Sequence, residues 1–324
     1  MSLPSFQLLR PKTLDAAVAL LSNHADEVKV IAGGTDLLPS MKQKLFTPPY
    51  VLDLRGVSEL RGIYTTPGGG VTIGTLTTLA AIEYSPLVRR EYPVLYHATK
   101  TVASPVLRNM GTLGGNICLD TRCLWYNQSL AWRKSCGFCI KKDGDLCHVA
   151  PGGSKCWAAF SADTPPALLC LEAEIEIASP RGVRRMPLAE FYNNDGVDRM
   201  KLAKDELLTR VILPARTAGW RGAYRKLRVR GSIDYPLAGV AVALQRNGTV
   251  SEVRVAITGV NPAPLLVRAD SLTGRELSDE LAAQVADIAA KAAKPLTTSA
   301  LTPEYRREMV RVFTRRALLA AGAE

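Results

Sequence analysis

The stretch CGFCIKKDGDLCHVAPGGSKC, residues 136–156, places four cysteines and a histidine within twenty-one residues. Widened to 118–156, the window holds six of the chain's seven cysteines: Cys118, Cys123, Cys136, Cys139, Cys147 and Cys156. Any fold of this chain must account for so many sulfurs in one place. The opening residues, MSLPSFQLLRPKTLDAAVALL, lack the basic start and small-residue cleavage site of a secretory leader. The expected location is the cytoplasm, where thiols stay reduced and clustered cysteines are metal ligands more often than disulfides.

Spacing narrows the chemistry without deciding it. Between successive cysteines of the window lie four, twelve, two, seven and eight residues. Structural zinc favours two short pairs on separate knuckles, and here only Cys136-x2-Cys139 and Cys118-x4-Cys123 qualify. That choice leaves Cys147 and Cys156 idle on either side of the APGGS loop. A 4Fe–4S cluster also takes four thiolates and tolerates irregular spacing, because the loop wraps a larger object. Buried free cysteines and a metal-free CxxC redox pair complete the alternatives, and all of them stay open at this level. His148 is expected beside such a site or at the surface, since enough cysteines are present to serve as ligands.

The 324 residues suffice for two domains, and no apolar run approaches the roughly 18–20 residues of a membrane span. The net charge of +11 is spread over basic knots at RGVRR (181–185), YRKLRVR (224–230) and YRREMVRVFTRR (305–316). A nucleic-acid protein would concentrate such charge beside stacking aromatics, yet aromatics make up only 6% of the chain. The knots therefore read as solvated faces, with a docking surface for an acidic partner as the sharper alternative, and no nucleic-acid partner is expected. His24, His97 and His148 are scattered and no G-x-S-x-G motif occurs, so no catalytic acid–base group is expected.

Thr13 precedes LDAAVALLSNHA (14–25), whose apolar spacing is helical, and is placed to cap it. VKVIAGGTDLLPSMK (28–42) and GVTIGTLTTLAAIEYS (70–85) each run from a strand through a Gly/Thr turn into a helix, the second opening at Thr77 or Thr78. VLDLRGV (51–57) adds a strand, 86–103 reads as one helix, and RNMGTLGGNICLD (108–120) reads as a glycine-studded loop. Later strands are expected in AEIEIAS (173–179), DELLTRVILP (205–214), YPLAGVAVALQ (235–245) and VSEVRVAITGV (250–260), with helices at 278–293 and 303–321. Lacking a long βαβ series, the pattern favours α+β over a doubly wound sheet.

Two glycine segments suit a phosphorylated cofactor. In AGGTDL, Gly33 and Gly34 permit positive φ and close backbone approach, and Thr35 offers a hydroxyl. In GTLGGN, Gly111, Gly114 and Gly115 offer the same, with Thr112 and Asn116 as side-chain donors. Neither is a Walker loop or a G-x-G-x-x-G fingerprint. The two together point to a pyrophosphate.

With these loops in order, the chain resembles the FAD-binding medium subunits of the xanthine oxidase family of molybdenum hydroxylases. AGGTDL (32–37), IGTLTTL (73–79), RNMGTLGGN (108–116), DTPPALLCLEAE (163–174), DELLTRVILP (205–214) and YRKLRVRGSIDYPLAGVAVAL (224–244) carry the resemblance over nearly the whole chain. It implies an α+β protein: a two-lobed, vanillyl-alcohol-oxidase-type (PCMH-type) FAD-binding domain over 1–216 and a smaller C-terminal α+β domain over 217–324. The implied flavin contacts are Val30, Ile31, Ala32, Gly33, Gly34, Thr35, Asp36, Leu37, Thr77, Gly111, Thr112, Leu113, Gly114, Gly115 and Asn116, with Asp163, Leu208 and Lys226. Ordinary members pass almost directly from GGNI to the D-T-x-P-A-L motif, whereas here the cysteine-bearing residues, roughly 119–160, intervene. That insertion is similar to the one in the 4-hydroxybenzoyl-CoA reductase branch, which carries a 4Fe–4S cluster on Cys residues that map to Cys123, Cys139, Cys147 and Cys156. On this reading Cys118, Cys136 and Cys170 are packing residues.

The branch implies an electron-entry subunit. Reduced ferredoxin would supply electrons through the 4Fe–4S cluster and FAD towards the 2Fe–2S clusters of a small subunit and the molybdenum of a large one. There 4-hydroxybenzoyl-CoA would be dehydroxylated to benzoyl-CoA, in a dimer of heterotrimers. The FAD subunit of an oxidising molybdenum hydroxylase, acting on a purine, nicotinate or aldehyde, and a zinc-stabilised binding module are the alternatives.

Overall fold

A computed structural model of the chain describes residues 2–323; Met1 and Glu324, the outer limits of the two expected domains, lie outside the described residues. The N-terminal lobe is a parallel sheet in which Tyr50–Asp53 runs between Gln7–Leu9 and Val28–Ile31. Parallel neighbours need crossovers, and the helices Leu14–Asn23 and Leu37–Lys42 lie in them. Thr13 starts the first helix by accepting from the Ala16 N–H, as its position in the sequence suggests. Ala17, Leu21, Val28, Leu52 and Leu54 form the lobe's buried seam.

The second lobe is an antiparallel sheet of five strands, ordered Ile63–Thr65, Val71–Gly74, Leu207–Leu213, Glu174–Ser179 and Gly182–Pro187. Its apolar face packs on helices drawn from 86–100 and on Thr164–Cys170. The single helix expected over 86–103 is two helices, Pro86–Glu91 and Pro93–Lys100. Proline lacks an N–H and its ring clashes with the preceding turn, so Pro93 ends one helix and opens the next. The same preference explains Thr164–Cys170, a helix begun by the prolines of DTPPALLC. The glycine loop 108–120 also winds into a short helix, Leu113–Ile117, because Thr112 caps it by accepting from the Gly115 N–H.

The C-terminal part is a four-stranded antiparallel sheet, ordered Leu265–Val267, Thr249–Thr258, Ala238–Asn247 and Arg221–Leu227, with helices Asp279–Ala292 and Pro303–Ala323 against it. The run AGVAVAL is buried on both faces: Val240, Val242 and Leu244 face the two helices, while Ala241 and Ala243 face the flavin-domain core. Each fully buried Val or Leu contributes roughly 1.5–3 kcal/mol, and the alanines allow the close approach of Thr164–Cys170. The α+β order expected from the sequence is the one found.

The basic knots are largely neutralised on the surface: Arg184 pairs with Glu206 at 2.7 Å and Arg311 with Asp287 at 2.7 Å. Among the described residues no helix is long and apolar enough to cross a membrane.

One buried ion pair anchors the segment that enters the second glycine loop. Arg108 donates to Glu83 through Nε at 2.7 Å and Nη2 at 3.1 Å, and to the Val102 carbonyl at 2.8 Å. Both side chains are at most 10% exposed. Glu83→Ala would strand a buried guanidinium. We expect it to lower unfolding stability by about 3–5 kcal/mol in denaturant titration, whereas Glu59→Ala at the exposed surface should change it far less.

Candidate functional site

The two glycine turns meet backbone to backbone. A Cβ on Gly33 would lie 1.9 Å from the Met110 carbonyl oxygen and 3.1 Å from Gly111 Cα, so only glycine fits. Gly34 follows at φ +74°, the left-handed region that glycine enters freely. Among the described residues the N–H groups of Gly33, Gly34, Thr35 and Asp36 donate to no acceptor in the chain. Four successive unengaged donors make a nest for an anion.

The second turn is held rigidly beside it. Gly111 O accepts from Leu79 N at 2.8 Å, while Leu113 N and Gly114 N donate to Thr77 O and Thr75 O at 3.0 and 2.9 Å. Thr75 Oγ1 donates to Leu208 O at 2.9 Å, which places Leu208 under the same turn. Thr77 Oγ1 exchanges hydrogen bonds with Gly62, and Asn116 Oδ1 accepts from the Thr164 N–H and hydroxyl at 3.1 and 2.6 Å. These two side chains are thus scaffold for the turn. Val30, Ile31, Ala32 and Leu37 pack apolar surface around the first turn. The sequence-expected residues 30–37, 77, 111–116 and 208 therefore share one region.

Asp163 and Lys226 join each other, 2.9 Å apart and each under 5% exposed. Tyr224 donates to the second Asp163 oxygen at 2.8 Å, and Lys226 also donates to Thr101 O at 3.0 Å. The pair links the helix Thr164–Cys170 to the C-terminal sheet. Tyr224 and Thr101 were not singled out in the sequence; period-two burial along YRKL is the signal that marks Tyr224.

The insertion folds as a tethered loop. Arg122 and Ala159 form an antiparallel bridge, each N–H reaching the other's carbonyl at 2.8 Å, so the two ends of the insertion leave the host side by side. Between them lies one short helix, Leu130–Ser135, capped by Ser129. Cys123, Cys139, Cys147 and Cys156 all line one pocket, together with Trp125, Tyr126, Ile140, Lys141, His148 and Val149. Cys136, three residues from Cys139, is outside it and half-buried beside Ser135. Cys118 and Cys170 are also outside, Cys170 in the main core. Among the described residues no three of His, Cys, Asp and Glu come together as one metal ion requires. The four thiols share only the lining of that pocket.

Burial, with a smaller contribution from the neighbouring pocket cysteines, pushes the Cys123 and Cys156 thiols up to about 11. Four thiolates here would need compensation from cationic groups or a bound cationic centre. Cys156 Sγ accepts from the Ala158 N–H at 3.4 Å, and a Cβ on Gly196 would lie 2.6 Å from it, so the sulfur is clamped. His148 stacks on Trp125 with ring centres 4.3 Å apart and contacts Phe138 O at 2.5 Å. It lines the pocket as a wall residue, and Trp125, Tyr126 and Lys141 are wall residues that cysteine spacing does not reveal.

The insertion is also fastened to the flavin turn. Arg122, beside Cys123, donates to Asp36 at 2.9 Å, Tyr235 donates to the same Asp36 oxygen at 2.8 Å, and the guanidinium sits 4.0 Å over the Tyr235 ring. Gly33→Ala should lower flavin affinity by at least about tenfold, read as flavin retained per chain after gel filtration. Gly68→Ala should change it little, because its Cβ would meet nothing within 4 Å.

Comparison with known proteins identifies the architecture. The family model for the FAD binding domain in molybdopterin dehydrogenase matches residues 4–216, and that for the CO dehydrogenase flavoprotein C-terminal domain matches residues 222–321. The chain is 31% identical over 323 residues to the carbon monoxide dehydrogenase medium chain of Hydrogenophaga pseudoflava, covering 99% of this chain and 98% of that one. It is 32% identical over 326 residues to the nicotine 6-hydroxylase medium subunit of Paenarthrobacter nicotinovorans, covering 100% and 99%. A solved structure of carbon monoxide dehydrogenase from H. pseudoflava superposes with a TM-score of 0.81 at 30% identity, covering 100% of this chain and 99% of that chain. The chain belongs to the FAD-binding medium subunits of the xanthine oxidase family of molybdenum enzymes.

Proposed function

We propose that this chain is an electron-transfer subunit with two redox sites, FAD at the glycine turns and a 4Fe–4S cluster on Cys123, Cys139, Cys147 and Cys156. The observation that carries the second site is the convergence of four irregularly spaced thiols on one pocket while Cys136, Cys118 and Cys170 stay out of it. Their irregular spacing, without two short paired knuckles among the four, favours a multi-iron cluster over zinc. Bound groups of these kinds supply one- and two-electron redox chemistry. The chain's own residues hold them and exclude water, and among the described residues none is assigned to substrate chemistry.

In this proposal the chain assembles with a large molybdenum-cofactor subunit and a small subunit bearing two 2Fe–2S clusters, as a dimer of heterotrimers in the cytoplasm. The enzyme is of the 4-hydroxybenzoyl-CoA reductase type, with reduced ferredoxin as donor and the dehydroxylation carried out on the partner. The support for this finer assignment is the cysteine-bearing insertion itself. The medium chains of carbon monoxide dehydrogenase and of glyceraldehyde dehydrogenase among the relatives favour a second reading, the FAD subunit of an oxidising molybdenum enzyme.

Anaerobic purification of the full chain, with iron, zinc and flavin quantitation, tests the site. About four irons and one flavin per chain are expected; flavin without iron, or zinc in place of iron, would overturn the cluster. Cys123→Ser, Cys139→Ser, Cys147→Ser and Cys156→Ser should each lose most of the iron, whereas Cys136→Ser should retain it. Turnover of the purified complex with 4-hydroxybenzoyl-CoA and a low-potential reductant separates the two readings of the substrate.

A further inference from the structure

Behind the thiol pocket lies a buried charge group that neither site uses directly. Lys141, in the pocket wall, is 6% exposed, and its ammonium donates to Asp120 Oδ1 at 2.8 Å, to Thr121 O at 2.9 Å and to Thr121 Oγ1. All three ammonium hydrogens are therefore committed to the protein. Lys141 cannot hydrogen-bond a sulfur without giving one up, and it faces the pocket as a charge. Asp120, 12% exposed, stands one layer further out and does not line the pocket. Its other oxygen accepts from Tyr126 Oη at 2.9 Å, and Arg199 Nε lies 3.7 Å away. Tyr126 is also a wall residue, with the Lys141 ammonium 4.3 Å from its ring centre.

The arrangement is asymmetric, with the cation in the wall and the anion behind it. Four cysteinate ligands make an iron–sulfur site strongly anionic, and the charge around such a site is one of the protein's levers on its potential. In a desolvated site a fixed unit charge acts with little screening. We infer that Lys141 is the positioned counter-charge of the thiol pocket, held there by Asp120 and Thr121, and that the Lys141–Asp120 pair sets the reduction potential of the cluster bound by the four cysteines. This rests on the reading that the pocket holds an iron–sulfur cluster. Lys141 also reaches the main fold through this pair: Asp120 and Thr121 belong to the exit of the flavin turn, and Thr121 Oγ1 donates to Gly196 O at 3.0 Å, beside the clamped Cys156.

The test is an EPR-monitored redox titration of the anaerobically prepared full chain, with iron and flavin content measured on every sample. Lys141→Met removes the nearer positive charge and should make the cluster harder to reduce. Asp120→Asn removes the outer negative charge and should make it easier to reduce. Each is expected to change the oxidised-to-reduced ratio at fixed solution potential about tenfold, or about 59 mV for a one-electron couple, in opposite directions. The double variant should fall between them, and Lys141→Arg should stay near wild type. A merely structural role would shift both single variants the same way, and that result in iron-loaded protein overturns the inference. If Lys141→Met fails to retain iron, the signs for Asp120→Asn and Lys141→Arg decide. A wild-type chain without iron overturns the site reading, and this inference falls with it; an iron-loaded wild type with unmoved variants overturns this inference alone.

Discussion

The fit of Gly33 against the Met110 carbonyl is the contact on which the molecule's two-lobed arrangement turns. It sets the turn that follows the parallel sheet's strand Val28–Ile31 directly against the backbone of the second glycine turn. What is left between them is backbone, and one turn keeps its N–H groups unengaged. A cofactor phosphate is well served by such a surface, because peptide dipoles fixed by the fold need no reorganisation to receive it. The rest of the region maintains this juxtaposition: Thr75, Thr77 and Asn116 spend their hydrogen bonds on the second turn, and the Arg108–Glu83 pair fixes the chain entering it.

The thiol region solves a different problem. A loop of this length with one short helix has little core of its own, so its order comes from tethers: the Arg122–Ala159 bridge, the Arg122–Asp36 pair, the Leu124 N–H on Thr298 O and the Lys141–Asp120 pair. Two of these close the loop on itself, and two end outside it, on Asp36 of the first glycine turn and on Thr298 of the C-terminal part. Burial disfavours ionised thiols, and it pushes Cys123 and Cys156 up to about 11. Neutral thiols are therefore the favoured form here, and four thiolates would be stable only beside compensating positive charge.

Much of the fold was legible because local chemistry and tertiary context agreed. Thr13 and Thr78 cap the helices they precede, and the alternation in AEIEIAS and AGVAVAL matches the pleat of buried strands. The sequence misled where one residue carried two meanings. Pro93 sits inside an apolar stretch that reads as one helix, although it ends one helix and opens the next. Arginines of the edge strand Gly182–Pro187 show as a charge knot, since its alternate side chains meet water and acidic partners across the sheet. At the site, the glycine turns announce themselves but their mutual contact does not. Cysteine spacing could not choose between Cys136 and Cys139; family pattern made that choice, and the two occupy different environments. The Lys141–Asp120 pair spans 21 positions with no periodicity to reveal it.

The adjacency of Arg122 and Ala159 has an evolutionary consequence. Because the excursion leaves and returns through one pair of neighbouring residues, the host sheets and helices need not open to admit it. A short turn could join the same two points in a relative without the excursion, since loop-closure entropy grows only slowly with length. A segment tied in this way could be lengthened or shortened as a unit, with Arg122 and Asp120 as the stitches that hold it.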